Sequence, residues 1–135
     1  MTQHYGIDTS ILVRLVTGEP AQDYEDAVKQ LSKMVENEGV RLVANNMVIG
    51  EAYIALQHHY GVTKPTAKSA LHSVLTSGLV QPVHGQPTLE ALAATKGCGL
   101  LDRLIAVDYA AAQFDTLTLD RKMATLPRVK RLKSN

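Results

Sequence analysis

Hydrophobic and polar positions along the chain fall into two periods, and the switches between them mark the elements. Tyr5-Gly6-Ile7 is a short apolar run that stops at Asp8, and Ser10–Val16 then carries apolar residues at helical spacing. A strand, an Asp-Thr-Ser turn and an amphipathic helix are predicted in succession. Gly18-Glu19-Pro20 breaks that helix, and a second is expected over Ala21–Glu38, with Ala27, Leu31, Met34 and Val35 on one stripe and Gly39 as its stop. Val40–Ala44 reads as a strand. Asn45-Asn46 supplies the next N-cap, and Met47–Tyr60 a third helix ending at Gly61. Thr63–Thr76 is a fourth helix, opened by Thr63 and Pro65. Leu79–Val83 is expected at a sheet edge, because Pro82 cannot donate to a ladder. Helices are predicted over Thr88–Lys96 and Leu100–Ala112, around the turn Gly97-Cys98-Gly99. Thr116–Leu119 is a strand ending at Asp120, Arg121–Leu126 a last turn and Val129–Leu132 a final edge strand. Strands alternating with helices favour a mostly parallel sheet covered on both faces. The fold class is α/β.

Composition narrows the class. The chain has 135 residues, 45% hydrophobic and 20% charged, as expected of one globular domain over 1–135. The long uncharged stretch Ser69–Leu89 is interrupted by Gly, Pro, Gln and two His, so no membrane span is expected. Neither does the N-terminus have the basic start and apolar run of a secretory signal, which points to a cytoplasmic protein. Cys98 is the single cysteine, so an internal disulfide and a cysteine zinc site are excluded. Net charge is +1, yet six basic residues and no acid fall in 121–135, leaving 8 basic residues against 13 acidic in the rest. That basic C-terminal segment is either a solvated extension or an edge that attracts a polyanion.

The acids carry the chemistry. Asp8 and Asp120 each close a strand, at the sheet edge where α/β sites form. Asp102 lies in the first turn of a helix, and Glu51 sits on the stripe Met47–Glu51–Ile54, with apolar neighbours on both sides. Each alone has an ordinary explanation: Asp8 and Asp120 as caps, Asp102 as a complement to the helix dipole, Glu51 reaching solvent. Together they are expected on one rim, whereas Asp108 and Asp115 face elsewhere. Converging carboxylates without Cys or His ligands suit a hard divalent cation, Mg²⁺ or Mn²⁺. Such a cation, held by Asp8, Asp102 and Asp120 with Glu51 directly or through water, would activate water against a phosphodiester. Glu51 is the expected base. Arg14, Arg103, Arg121 and Lys122 are candidates for phosphate contacts, with surface charge as the ordinary alternative. His58-His59 diverge by about 100° on their helix and do not form a metal pair. Ile11, Leu12, Leu15 and Val16 are expected in the core, or on a surface that accepts a partner helix.

Four blocks in order resemble a known family. Asp8-Thr9-Ser10-Ile11-Leu12-Val13-Arg14-Leu15 is similar to the opening of PIN-domain nucleases. Asn46–Glu51 followed by Tyr60-Gly61 resembles their second block, Leu101–Ala106 the third, and Thr118-Leu119-Asp120-Arg121-Lys122 the fourth. Size and content most resemble the VapC-type toxins of toxin–antitoxin pairs. The resemblance implies a three-layer α/β/α PIN-like fold with a central sheet and a metal-dependent endoribonuclease whose acidic quartet is Asp8, Glu51, Asp102 and Asp120. It also implies a cognate antitoxin and a homodimer. Thr118 falls where the family has a residue supporting the first acid, and Thr9 takes the polar position after that acid. Ser10 departs from the usual Asn, Asp115 stands where Gly is frequent, and Gly99 replaces a further Asp, which leaves one-metal and two-metal chemistry open. The other readings are a silent PIN-like module that binds RNA or protein, and a phosphatase with an Asp nucleophile. The latter lacks its second Asp, since that position is Ser10.

Overall fold

The computed structural model describes residues 2–133. Strand β1 (His4–Gly6) leads into α1 (Thr9–Thr17), and α2 (Ala21–Glu38) follows. Then come β2 (Arg41–Ala44), α3 (Asn46–Tyr60), α4 (Lys64–Leu75) and β3 (Val80–Pro82). The chain continues through α5 (Gln86–Ala93), α6 (Leu100–Ala111), β4 (Thr116–Thr118), a 3-10 turn at Met123–Thr125 and β5 (Val129–Arg131).

The stops are local and readable. Gly39 and Gly61 close α2 and α3 with positive φ, each donating its amide back to a helical carbonyl. Asp8, Asn45 and Thr63 cap α1, α3 and α4 with side-chain oxygens. Helix α5 departs from expectation: it begins at Gln86, after Gly85 at positive φ, with Pro87 in its first turn, and it ends at Ala93. It ends where Ala94 turns extended, and the Lys68 ammonium reaches the carbonyl of that residue.

Every ladder is parallel. β1 pairs with β2 and β2 with β3, which places β3, with Pro82, at an edge as expected. Among the described residues β4 pairs with β5 alone, so the strands form ladders of three and two. The basic C-terminal segment is thereby part of the fold over Val129–Arg131: Arg128 meets Asp115 at 2.7 Å, and Arg131 Nε donates to Leu119 O. Ser134 and Asn135, the end of that segment, lie outside the described residues, as does Met1.

The core joins both sides of the three-stranded sheet. Leu12, Leu42, Ile49, Leu56, Leu71 and Val80 are fully or almost fully buried. Leu12 and Leu15 are core as expected, with Ile11 and Val16 half-buried against them. At Gly50 a Cβ would stand 3.1 Å from Leu101 Cδ2, so the missing side chain lets α3 and α6 approach closely. That contact puts Glu51 and Asp102, the next residue on each helix, on adjoining elements. Among the described residues no helix is long and apolar enough to cross a membrane.

Candidate active site

Asp8 is the N-cap of α1, and its capping uses one oxygen only. Oδ1 accepts from the Ser10 hydroxyl at 2.6 Å and from the Ile11 amide at 3.2 Å. Both bonds favour the charged form, with the Ser10 hydroxyl contributing most, so the carboxyl is held below its usual range. Asp120 repeats the arrangement: its Oδ1 accepts from the Lys122 amide at 2.7 Å and the Met123 amide at 3.1 Å. In both residues Oδ2 takes no hydrogen bond among the described residues. Capping and ligation are therefore compatible in the same carboxylate.

Thr9 joins two of the expected residues. Its hydroxyl donates to Glu51 Oε1 at 2.9 Å, tying the first residue of α1 to the second turn of α3. The expected apolar setting of Glu51 is not found. Met47 is 70% exposed and Ile54 42%, so the stripe they share with Glu51 lies on the outside of α3. The helix buries its other face, through Ile49, Ala52, Tyr53 and Leu56, against the core. The Thr9 hydroxyl, and not burial, is what fixes Glu51.

Asp102 is half-buried in the first turn of α6, beside Leu101, which meets Gly50. Asp120 follows β4, which packs on α6, and no hydrogen bond links it to the other acids. Thr118 Oγ1 accepts from the Asp120 amide at 3.0 Å, so within this structure Thr118 orders the fourth acid. As a donor set, four carboxylates with free oxygens have the chemistry of a Mg²⁺ or Mn²⁺ site. Among the described residues no three His, Cys, Asp or Glu side chains stand close enough to share one ion. The expected gathering of all four acids on one rim is therefore not found among the described residues; the Thr9 hydroxyl joins only Glu51 to the turn that Asp8 caps.

The expected basic contacts divide into two kinds. Arg14 lies 3.7 Å from Asp23 of α2, with its Nε buried and unpartnered. Arg103 turns back on the loop before α6, where its guanidinium donates to the carbonyls of Cys98 and Lys96. Arg121 and Lys122 are exposed at the turn after Asp120 and make no side-chain bond among the described residues.

Two residues near the site were read differently from sequence. Ser10 grips Asp8, a role signalled by a hydroxyl two residues after a capping acid. Asn46, expected to share the cap with Asn45, is buried: its Nδ2 donates to Leu104 O at 3.0 Å and its Oδ1 accepts from Thr88 Oγ1 at 2.9 Å. It ties α3 to both α5 and α6. No local signal separates Asn46 from Asn45, because its partners lie 42 and 58 residues away.

Residues 5–129 match the family model of the PIN domain, which covers most of the chain and all four acids. No curated protein and no solved structure matches.

Proposed function

This chain belongs to the PIN domain family, and on that premise we propose that it is a cytoplasmic Mg²⁺- or Mn²⁺-dependent endoribonuclease, the toxin of a toxin–antitoxin pair. PIN domains are generally nucleases that use divalent metal ions. The observation that carries the finer reading is the Thr9–Glu51 bond, which brings the acid of α3 to the turn that Asp8 caps.

A bound cation supplies Lewis acidity to the phosphodiester and lowers the pKa of a water. Asp8 and Asp120 would hold it with the oxygens that their caps leave free, since Oδ1 of each is bound to its own turn. Asp102 of α6 would supply a further carboxylate. Glu51, with Oε1 occupied by Thr9, would accept the proton of the attacking water through its second oxygen as the water adds to phosphorus in line. The P–O bond opposite breaks, and its leaving oxygen takes a proton from solvent. Arg121 and Lys122 contact flanking phosphates of the RNA. The bonds of Arg103 give it a supporting role in the loop before α6.

A homodimer accompanies this reading. Leu101, Ile105 and Tyr109 are exposed at every fourth position of α6. The exposed apolar stripe of α6 is the sort that a second copy covers. The partly buried apolar residues of α1 suit an amphipathic antitoxin helix.

The test is cleavage of pooled cellular RNA with Mg²⁺, with Mn²⁺ and with EDTA, beside the Asp8→Asn variant. Cleavage that needs metal and vanishes in the variant supports the nuclease. A folded, antitoxin-free protein that leaves the RNA whole is instead a binding module. Cleavage that survives EDTA and the variant rejects the acidic site.

A further inference from the structure

One cavity shares two helices with the acids. It measures about 510 Å³ and lies between α4 and the loop 94–99, with Tyr53 of α3 and Leu100 of α6 in its walls. Tyr53 is two residues from Glu51, and Leu100 two from Asp102. Two residues turn a helix by about 200°, so this cavity opens on the other side of both helices from the carboxylates.

Its lining is one-signed. Lys64, Lys68 and His72 come from one stripe of α4, at every fourth position, and Lys96 faces them from the loop. Ser69 and Ser73 add hydroxyls, and no Asp or Glu lines it, in a chain with 13 acids. Among the described residues none of the three lysines pairs with a carboxylate. Lys68 reaches across to Ala94 O and holds the two walls together. Burial, and then the neighbouring Arg103 guanidinium, keep its ammonium below the usual lysine range. An anion in the cavity would favour the charged ammonium against both effects.

We propose that this cavity is a phosphate subsite for the RNA strand, taking a nucleotide beyond the scissile bond. The inference rests on the nuclease reading above for the direction of the strand. From the acids the strand would have to pass round the first turn of α6, a helix about 10 Å across, so the cavity would receive a phosphate more than one nucleotide from the reacting one. A volume near 500 Å³ is in the range of small-ligand sites, and convergent unpaired lysines recognise phosphate as point charges.

The test is fluorescence anisotropy of a labelled 12-nucleotide oligouridylate against salt, with EDTA present so that the strand stays whole. Three full-length proteins are compared: native, Lys64→Gln/Lys96→Gln, and Lys29→Gln/Lys33→Gln on the exposed side of α2. Each phosphate contact on a single strand contributes about 0.7 to the slope of log affinity against log salt. The cavity variant is therefore expected to lose about 1.4 of that slope, and about tenfold or more in affinity at 0.1 M salt. The α2 variant is expected to bind like the native protein. Equal losses in both variants, or none in the cavity variant, would overturn the proposal. So would uridine monophosphate binding the native protein as tightly as the 12-mer, which would make the cavity a free-nucleotide site. Because binding is read without cleavage, the two readings fail separately. Metal-dependent cleavage with cavity-independent binding rejects only the subsite, whereas cavity-dependent binding without cleavage keeps the subsite and rejects the nuclease.

Discussion

The hydroxyl of Thr9 and the carboxylate of Glu51 meet at 2.9 Å across 42 residues of chain. That bond converts two local features, a helix start and a solvent-facing glutamate, into one site. Thr9→Val is expected to lower the cleavage rate about five- to tenfold, the worth of a charge-assisted hydrogen bond of about 1–1.5 kcal/mol. Thr9→Ser restores it. Melting temperature, measured beside the rate, should move little, since the pair is exposed.

Capping and catalysis at Asp8 separate by substitution. Asparagine caps about as well as aspartate, so Asp8→Asn is expected to abolish cleavage while unfolding free energy changes by less than about 0.5 kcal/mol. Asp8→Ala should lose activity and a further ~1 kcal/mol, because the Ile11 amide is left without its partner. Denaturant unfolding of both variants checks this, and a large loss in Asp8→Asn would contradict the division.

The depressed pKa of Asp8 has a pH signature. The Ser10 and Ile11 bonds favour the carboxylate, so the folded state releases the proton more readily than the unfolded chain. The resulting stability is fully present above the unfolded value near pH 4 and is lost as pH falls through the lower folded value. Native protein should therefore lose melting temperature more steeply than Asp8→Asn below about pH 4, with parallel curves at neutral pH. Ser10→Ala should shrink that difference, because Ser10 is the larger cause.

Asn46 offers a stability test away from the acids. Thr88→Val keeps shape but leaves Asn46 Oδ1 buried without its donor, at an expected loss of about 1–3 kcal/mol. Asn46→Ala should lose at least as much, since it releases both α5 and α6. Chemical denaturation measures both.

The exposed stripe on α6 predicts the oligomeric state. Native protein is expected to sediment as a dimer at micromolar concentration, and Ile105→Lys as a monomer with an unchanged circular dichroism spectrum. A native monomer at 100-fold higher concentration would reject the dimer.

Much of this protein is local. Helix α2 spans Ala21–Glu38 as its periodicity predicts, and Gly39 and Gly61 end their helices where a residue at positive φ is needed. Asp8 and Asp120 were legible as strand-ending acids because a cap and its helix lie within three residues. What depended on distant chain was decided by tertiary structure alone. Met47 and Ile54 form an apolar stripe with Glu51 in sequence, yet α3 turns that face outward, because Ile49, Ala52, Tyr53 and Leu56 bury more of its other side. Asn45 and Asn46 are alike to any local rule, and only the approach of α5 and α6 makes one a cap and the other a buried bridge. Periodicity and capping are set by neighbours along the chain. Which acid meets which hydroxyl, and which lysines close around one cavity, are set by packing between elements that no short stretch of sequence contains.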